Sequence, residues 1–206
     1  MRSTLAGADP PTSTPDDLMS RHGPDLNQAL QTARLTLEPI HPSHAKLLYE
    51  RHADERMWSY EPRSHRATSV AELERRFTRF AARRSPDGSE VWLNYAVRLT
   101  GGPYVGTMQA TITGSSSLIG YTIFADHWRQ GYGKEGCARL VRFLFEEFGV
   151  RWVRATVDTE NAASIALLEH IGFQRTWTGP SDDMPGRFDH RYELQAPAAP
   201  GGASAR

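Results

Sequence analysis

Residues 119–136 read IGYTIFADHWRQGYGKEG, an apolar strand-like run followed by a glycine-rich turn. Its glycines, Gly131, Gly133 and Gly136, fit the pattern G-x-G-x-x-G, which is typical of turns that cradle phosphate groups. Helical spacing of apolar residues begins at the second glycine, so the turn opens a helix. Free amides and the positive dipole end of a helix attract anions, and cationic side chains in the stretch add to this attraction. The stretch therefore predicts an anion site that suits a pyrophosphate.

A dinucleotide-binding turn fits the same glycine pattern, but its context differs. Such a turn needs a strand that runs directly into the first glycine, whereas the polar segment 126–130 separates Ala125 from Gly131. The strands predicted upstream are antiparallel, and too little chain remains downstream for further parallel strands. A Walker A loop also fails, because Trp128 and Glu135 replace its first glycine and its hydroxyl residue. The pattern thus favours a different phosphate ligand.

The segments before the turn predict the first half of an α+β domain. Alternating apolar residues predict a strand at RLTLEPI (34–40), followed by a helix capped by Ser43. A second helix begins at the capping box formed by Ser69 and Glu72. Three β-rich segments separated by TGGP and TGSSS then predict an antiparallel meander.

The segments after the turn complete the domain, which we place at about residues 33–194. Cys137 lies on the apolar stripe of the helix after the turn, which predicts a buried structural thiol. A strand follows and ends at Asp158, expected to be a solvated carboxylate. A short helix is then capped by Asn161 and Gly172. Two final strands flank a turn-rich loop, so the sheet is mixed and mostly antiparallel.

Composition restricts the classes of protein to which the chain can belong. Residues 1–30 and 196–206 are poor in large apolar side chains, which predicts disordered tails. Basic and acidic residues number 24 each, which argues against nucleic acid or an anionic membrane as a partner. No apolar run is long enough for a membrane span or a signal peptide, so we expect a cytoplasmic protein. The last strand, at the sheet edge, permits a homodimer.

The turn and the segment VRATVDTENAASIALLEHIGF (153–173) together resemble the GNAT superfamily of N-acetyltransferases, and within it the RimJ/RimL group. The resemblance extends from Arg34 to Leu194. It implies a layered α/β/α fold in which one pair of neighbouring strands splays apart. It also implies acetyl-CoA as the co-substrate, with no metal ion. The histidine spacing agrees with the expectation of no metal ion, because His127 and His190 show no metal-ligand spacing and are expected to be structural.

The resemblance assigns the acetyl-CoA site to the turn and to the elements beside it. The turn amides would hold the pyrophosphate, and the end of the splayed strand would pair with the pantetheine arm. Trp128 stands where the family usually has Gln or Arg, and Gly136 is left with a role in helix packing. The residues assigned to acetyl-CoA are Ile123, Phe124, Ala125, Arg129, Gln130, Gly131, Tyr132, Gly133, Lys134, Asn161 and Ser164.

Acetyl transfer requires a neutral amine, a polarised thioester carbonyl and a protonated leaving sulfur. Leu168 occupies the place of the tyrosine that protonates the sulfur in many relatives. Ser164 matches a serine of RimL-like members, so it is our predicted proton donor. Asp182 and Asp183 match the place of a carboxylate near the amine, which makes them the predicted general base, with Glu61 as a second candidate.

The loop MWSYEPRSHRA (57–67) is where the acceptor should bind. The residues assigned to the acceptor are Trp58, Tyr60, Glu61 and Arg63. An α-amine, with a pKa near ~8, loses its proton more easily than a lysine amine near ~10, so the predicted acceptor is a protein or peptide N-terminus. Two alternatives stay open: an N-acetyltransferase for a small molecule such as an antibiotic or a polyamine, and a non-catalytic acyl-CoA-binding module.

Overall fold

A computed structural model describes residues 23–198. The strands are β1 (Leu30–Gln31), β2 (Leu35–Pro39), β3 (Val91–Leu99), β4 (Tyr104–Thr113), β5 (Ser116–Ile123), β6 (Trp152–Asp158), β7 (Gln174–Pro180) and β8 (Phe188–Gln195). The helices are α1 (His44–His52), α2 (Val70–Phe80), α3 (Tyr132–Phe148) and α4 (Ala162–Ile171), with 3-10 helices at Glu55–Trp58, Arg63–His65 and Ala125–His127. In this part of the chain, no helix has both the length and the apolar character that crossing a bilayer requires.

The strands form one mixed sheet in the order β1-β2-β3-β4-β5-β6-β8-β7. The prediction that the last strand lies at the sheet edge is wrong, because β8 pairs with β6 on one side and with β7 on the other. Its neighbours pair antiparallel except for β5 and β6, which are parallel. Strands β3, β4 and β5 form the predicted meander, because each pairs with the next along the chain. The mixed and mostly antiparallel sheet of the predicted α+β fold is confirmed.

Helices cover both faces of the sheet, because successive residues of a strand point to opposite faces. Tyr95 of β3 is buried with Leu140 and Leu144 of α3, whereas the next residue, Ala96, is buried with Leu73 of α2. Helix α4 lies on the α3 face and α1 on the α2 face. The result is the predicted three-layer arrangement.

Two residues of α3 confirm predictions about its packing. Cys137 is fully buried, and this burial raises the pKa of its thiol. A Cβ on Gly136 would lie 2.3 Å from Cε of Met108 in β4, so the helix crosses the sheet where only glycine fits without displacing that side chain. Both residues therefore serve the close contact between α3 and the sheet.

The helix caps follow the sequence at three of the four predicted positions. Ser69 accepts a hydrogen bond from the Glu72 amide at 3.2 Å, and Asn161 accepts one from the Ser164 amide at 3.1 Å. The second half of the predicted capping box differs, because the Glu72 carboxylate accepts from the Thr68 amide at 2.8 Å. Gly172 ends α4 with a left-handed φ of 107°. The prediction for Ser43 is wrong, because its hydroxyl bonds to Nδ1 of His41 at 2.8 Å instead of capping α1.

The folded domain includes residues that composition assigns to the N-terminal tail. Leu30, which falls in the predicted N-terminal tail, is fully buried in β1 and pairs with Leu37 of β2. Burial of this one side chain stabilises a segment whose neighbours are mostly polar. The rest of the predicted tails, residues 1–22 and 199–206, lie outside the described residues.

Replacing Leu30 tests this boundary. We expect Leu30→Ala to lower the free energy of unfolding by about 2–4 kcal/mol, because it removes a fully buried side chain. Urea denaturation measures the loss. Gln31→Ala, at the exposed neighbouring position, is the control and should cost less than about 1 kcal/mol. Equal stabilities of Leu30→Ala and the unaltered chain would show that the domain begins after β1.

Candidate active site

An opening between β5 and β6 is the central feature of the site. The two strands pair only through residues 116–118 and 152–154. Beyond these residues β5 pairs with β4 alone, and β6 pairs with β8 alone. Strand backbone that faces such an opening needs hydrogen-bond partners from elsewhere. The resemblance predicted a splayed strand pair, and the structure confirms it.

The glycine turn lies at the end of this opening and presents free amides. Arg129 and Gly131 have left-handed φ values of 60° and 80°, which turn successive N–H groups the same way. No acceptor within residues 23–198 takes the amide protons of residues 129–134, since the first bond of α3 joins the Glu135 amide to the Gly131 carbonyl. These amides, at the positive end of a 17-residue helix, form a site for an anion.

Arg34, which precedes β2, fixes the turn from outside. Its backbone amide and Nε donate to the Glu135 carboxylate at 2.9 and 2.6 Å, and its Nη1 donates to the Gln130 carbonyl at 3.0 Å. The guanidinium also lies 4.7 Å from the centre of the Tyr132 ring. Sequence reasoning missed this residue, because a link across about one hundred positions leaves no local signal. The contacts hold the turn in one conformation before any ligand arrives.

Backbone groups at the end of β5, just before the turn, form hydrogen bonds within the protein. The Phe124 amide donates to the Val105 carbonyl at 2.8 Å, and the Phe124 side chain is buried against α1 and α2. Nε1 of Trp128 donates to the Ile123 carbonyl at 2.6 Å, so this side chain ties the turn back to β5. Ala125 begins a 3-10 helix. The Phe124 carbonyl accepts from the His127 amide at 2.8 Å, and the Ala125 carbonyl accepts from the Trp128 amide at 3.3 Å. The backbone of the predicted ligand Phe124 is therefore already hydrogen-bonded within the protein.

Helix α4 closes the opening from the side of β6. A Cβ on Gly133 would lie 2.9 Å from Cδ1 of Leu167 and 3.4 Å from Cγ1 of Ile123, so the turn, β5 and α4 are in contact. Nζ of Lys134 lies 3.2 Å from Nε2 of His170 on α4. The residues predicted for acetyl-CoA are thus brought to one place from three elements.

A pair of hydroxyl groups lies inside the opening. The Tyr121 hydroxyl on β5 is 2.6 Å from Oγ of Ser164 in the first turn of α4. Burial raises the pKa of Tyr121, so the phenol stays protonated near neutral pH. Leu168, where many relatives have tyrosine, is fully buried in the core. Sequence reasoning missed Tyr121, although β alternation places this polar residue on the same face as Ile119 and Ile123.

A cavity of about 520 Å³ lies under the loop between α1 and α2 and reaches Tyr121. Of the predicted acceptor residues, Trp58 and Glu61 line it. Arg63 instead pairs with Glu55 at 3.1 Å, and Tyr60 lies below the Arg187 guanidinium. The cavity is lined by Ile40, His52, Met57, Trp58, Glu61, Ser64, His65, Arg76, Phe77, Arg79, Phe80, Asn94, Tyr95, Thr107, Met108, Gln109, Gly120, Tyr121 and Thr122.

Glu61 is the carboxylate of this cavity. Its side chain is 57% exposed, yet protein surrounds it because it lies in a concave wall. This enclosure raises the pKa of Glu61, His65 opposes the effect, and the nearby carboxylates of Asp183 and Asp189 raise the pKa further. A carboxylate with a raised pKa accepts protons more readily near neutral pH.

The two aspartates predicted as the general base have different surroundings. Asp182 is 83% exposed, and it accepts a hydrogen bond from Nη2 of Arg191 at 3.0 Å. Asp183 is close enough to Glu61 to influence its pKa. Neither aspartate lines the cavity. Of the three carboxylates predicted as the base, Glu61, the second candidate, is therefore the one that lines the cavity.

Asp158 supports the loop that carries these aspartates. The prediction of a solvated carboxylate is wrong, because its side chain is 1% exposed and pairs with Arg187 at 2.7 Å. Burial opposes ionisation, but hydrogen bonds from Nε of Arg187 and the Glu160 amide, each 2.8 Å long, outweigh it and lower the pKa of Asp158. The ion pair links the end of β6 to the loop before β8.

Replacing Asp158 tests this link through its pH dependence. A lowered native pKa stabilises the fold above the unfolded value of about 3.9, and this contribution disappears as pH falls through the native pKa. We expect Asp158→Asn to lower the free energy of unfolding by about 1–3 kcal/mol at pH 7. Urea denaturation from pH 7 down to pH 3 should show the gap between the two proteins closing.

Asp182→Asn is the matched control for that experiment. Its ion pair is exposed, so the substitution should change the free energy of unfolding by less than about 1 kcal/mol at any pH. A stability gap for Asp158→Asn that stays constant down to pH 3 would contradict an ionised, paired Asp158.

The histidines of the site have structural contacts. His190 is buried, and its Nδ1 lies 2.8 Å from Oγ1 of Thr178. The ring of His127 lies 6.4 Å from that of Tyr132. Across residues 23–198, no group of three His, Cys, Asp or Glu side chains is placed to hold a metal ion.

Comparison with known protein families gives a match over most of the chain. The family model for the acetyltransferase (GNAT) domain matches residues 34–174. The N-acetyltransferase YoaA of Bacillus subtilis (strain 168) is 40% identical over 57 residues, which cover 28% of this chain and 32% of YoaA. The chain therefore matches about a third of the length of the curated relatives it resembles.

Solved structures share the fold over most of its length. Mycobacterium smegmatis RimJ in complex with CoA-disulfide has a TM-score of 0.74 at 19% identity, with coverage of 85% of this chain and 90% of that protein. The ribosomal-protein-S5-alanine acetyltransferase of Vibrio fischeri has a TM-score of 0.70 at 13% identity, with coverage of 82% and 96%. At such identities the likeness shows the fold alone.

Proposed function

This chain belongs to the GNAT acetyltransferase family, and we propose that it moves an acetyl group from acetyl-CoA to the α-amine of a protein or peptide. The observation that carries the proposal is the hydroxyl pair of Tyr121 and Ser164, where the β5–β6 opening meets the cavity. The name of the Vibrio fischeri ribosomal-protein-S5-alanine acetyltransferase, which shares the fold, supports a protein acceptor.

The free amides of residues 129–134 are our proposed site for the pyrophosphate of acetyl-CoA. They fit this group because they lack internal acceptors and lie at the start of a long helix. The unpaired edge of β5 leads from them to Tyr121 and would hold the pantetheine arm. The co-substrate supplies the acetyl group as a thioester.

Tyr121 and Ser164 would together protonate the leaving sulfur. Because the raised pKa of Tyr121 keeps its phenol protonated, the phenol can donate to Oγ of Ser164. The hydroxyl proton of Ser164 is then free to point into the opening. The tyrosine thus supplies from β5 the hydroxyl that Leu168 cannot supply from α4.

Glu61 is our proposed general base. It lines the cavity, and its raised pKa matches the task of taking a proton from an ammonium group. Asp183 contributes through its charge, which helps to keep that pKa high. An N-terminal α-amine suits this base better than a lysine amine, because its pKa lies about two units lower.

Substitution of the hydroxyl pair tests the proton donor. Ser164→Ala and Tyr121→Phe should each lower kcat for transfer of labelled acetyl groups to N-terminal peptides by about 100-fold. Acetyl-CoA should still raise the melting temperature of both variants, because its amide site is unchanged. Ser115→Ala, an exposed serine outside the site, is the control and should keep full activity.

Testing N-terminal peptides, polyamines and aminoglycosides as acceptors of the unaltered protein separates the alternatives. Absence of any melting shift with acetyl-CoA would overturn the proposed function. A melting shift without transfer to any acceptor would identify a non-catalytic acyl-CoA-binding module. Transfer confined to polyamines or aminoglycosides would identify a small-molecule enzyme.

Substitution of Glu61 tests the base through the pH profile. The rate should rise with pH as Glu61 loses its proton, and this rise is the acid limb of the pH profile. Glu61→Gln should remove the acid limb and lower kcat/KM by about 100-fold. Asp183→Asn should shift the limb to lower pH, because it removes a charge that raises the pKa of Glu61. Asp182→Asn should retain the original profile. Loss of the acid limb in Asp182→Asn, with Glu61→Gln unaffected, would make Asp182 the base.

A further inference from the structure

The acceptor cavity has a cationic wall formed by α2. Arg76 and Arg79, one helical turn apart, both line the cavity. Arg79 forms no ion pair with any residue between 23 and 198, and Arg76 lies 3.5 Å from Glu72, whose other carboxylate oxygen accepts bonds from Thr68. Arg76 is thus paired with Glu72, and it also donates to the His65 carbonyl. Arg79 is the arginine of this wall whose charge no ion pair within residues 23–198 offsets.

His52, which also lines the cavity, reflects this charge. Burial, together with the charges of Arg76 and Arg66, lowers the pKa of His52 to about 4. The imidazole is thus neutral, and its buried Nδ1 has no hydrogen-bond partner in the described chain. His52 therefore adds no positive charge of its own to the cavity wall.

The floor of the cavity is polar as well. Asn94 of β3 and Gln109 of β4 are directly opposite each other in the sheet and both line the cavity. Their side-chain amides make no hydrogen bond to residues 23–198. Amide groups of this kind can bind the backbone of an extended peptide.

Glu61 lines the same cavity and gives it an anionic part. The carboxylates of Asp183 and Asp189 are close enough to raise the pKa of Glu61. Arg76 donates to the His65 carbonyl, and the His65 ring lies 4.0 Å from the Glu61 carboxylate. Arg79 lies one helical turn from Arg76 and lines the cavity as well. An acceptor that satisfied both Glu61 and Arg79 would present its amine at Glu61 and a negative group at Arg79.

We propose that Arg79, with Arg76, forms a carboxylate subsite, so that the preferred acceptor is a peptide N-terminus followed by an acidic residue at the second or third position. Each extended residue advances the chain by about 3.5 Å, so an acidic side chain at either position lies away from the amine and can reach Arg79 while the amine lies at Glu61. A free α-amino acid holds its carboxylate next to its amine and fits less well. This inference rests on the proposed N-acetyltransferase function and names its substrate class.

The test compares peptides that share an N-terminal serine and carry Glu, Gln or Lys at the second or third position. For the unaltered protein we expect kcat/KM for the best Glu peptide to exceed that for its Gln counterpart about three- to tenfold, with the Lys peptide lowest. In Arg79→Gln the Glu and Gln peptides should become nearly equal. Free glutamate is included as the small-molecule source of the same carboxylate and should be a poor acceptor.

Arg75→Gln is the matched control, because Arg75 is an exposed neighbour on α2 that does not line the cavity. It should leave the Glu-to-Gln ratio unchanged. Raising the salt concentration should reduce the ratio in the unaltered protein, because screening weakens the ion pair. Equal kcat/KM values for the Glu and Gln peptides, or a ratio that survives Arg79→Gln, would overturn the subsite.

A second measurement keeps the subsite testable if transfer is absent. Calorimetric titration of the Glu and Gln peptides into protein saturated with CoA should show tighter binding of the Glu peptide, and the difference should vanish in Arg79→Gln. Failure of transfer with this binding preference intact would overturn the proposed function alone. Equal binding of the two peptides would overturn the subsite alone.

Discussion

The parallel pairing of β5 and β6, which ends after three residues, is the constraint on which the rest of the site depends. Parallel neighbours need a crossover, so α3 must begin where β5 ends and return the chain to the start of β6. The glycine turn consequently lies at the wide end of the opening. Helix α4 follows β6 and begins at the same end, which brings Ser164 to the strand that carries Tyr121.

The proposed sites for acetyl-CoA and for the acceptor lie on opposite faces of the sheet. The face covered by α3 and α4 holds the anion turn, whereas the face covered by α1 and α2 holds the cavity. Tyr121 belongs to both, because its hydroxyl reaches Ser164 and its residue borders the cavity. A donor and an acceptor bound on opposite sides would meet at this point of β5, where the sheet is open.

Local sequence patterns predicted much of the fold and the turn, because strands, caps and glycine turns depend on near neighbours. Gly172 and Asn161 are examples of such local determinants. The Tyr121–Ser164 contact and the Arg34 link join residues that are distant along the chain, and a single sequence carries no record of such pairs. The prediction of a solvated Asp158 is wrong for a related reason. Its burial depends on Arg187, which is distant along the chain in a different loop.

The burial of Cys137 has a practical consequence for measuring this chemistry. It is the single cysteine of the chain, and its thiol is inaccessible and hard to ionise. The thiolate is the nucleophile that attacks a thiol reagent, so the native protein should react with such reagents very slowly. Every turnover of an acetyl-CoA-dependent transfer releases one free CoA thiol. A colorimetric thiol reagent can therefore follow the reaction continuously, with almost no background from the protein itself.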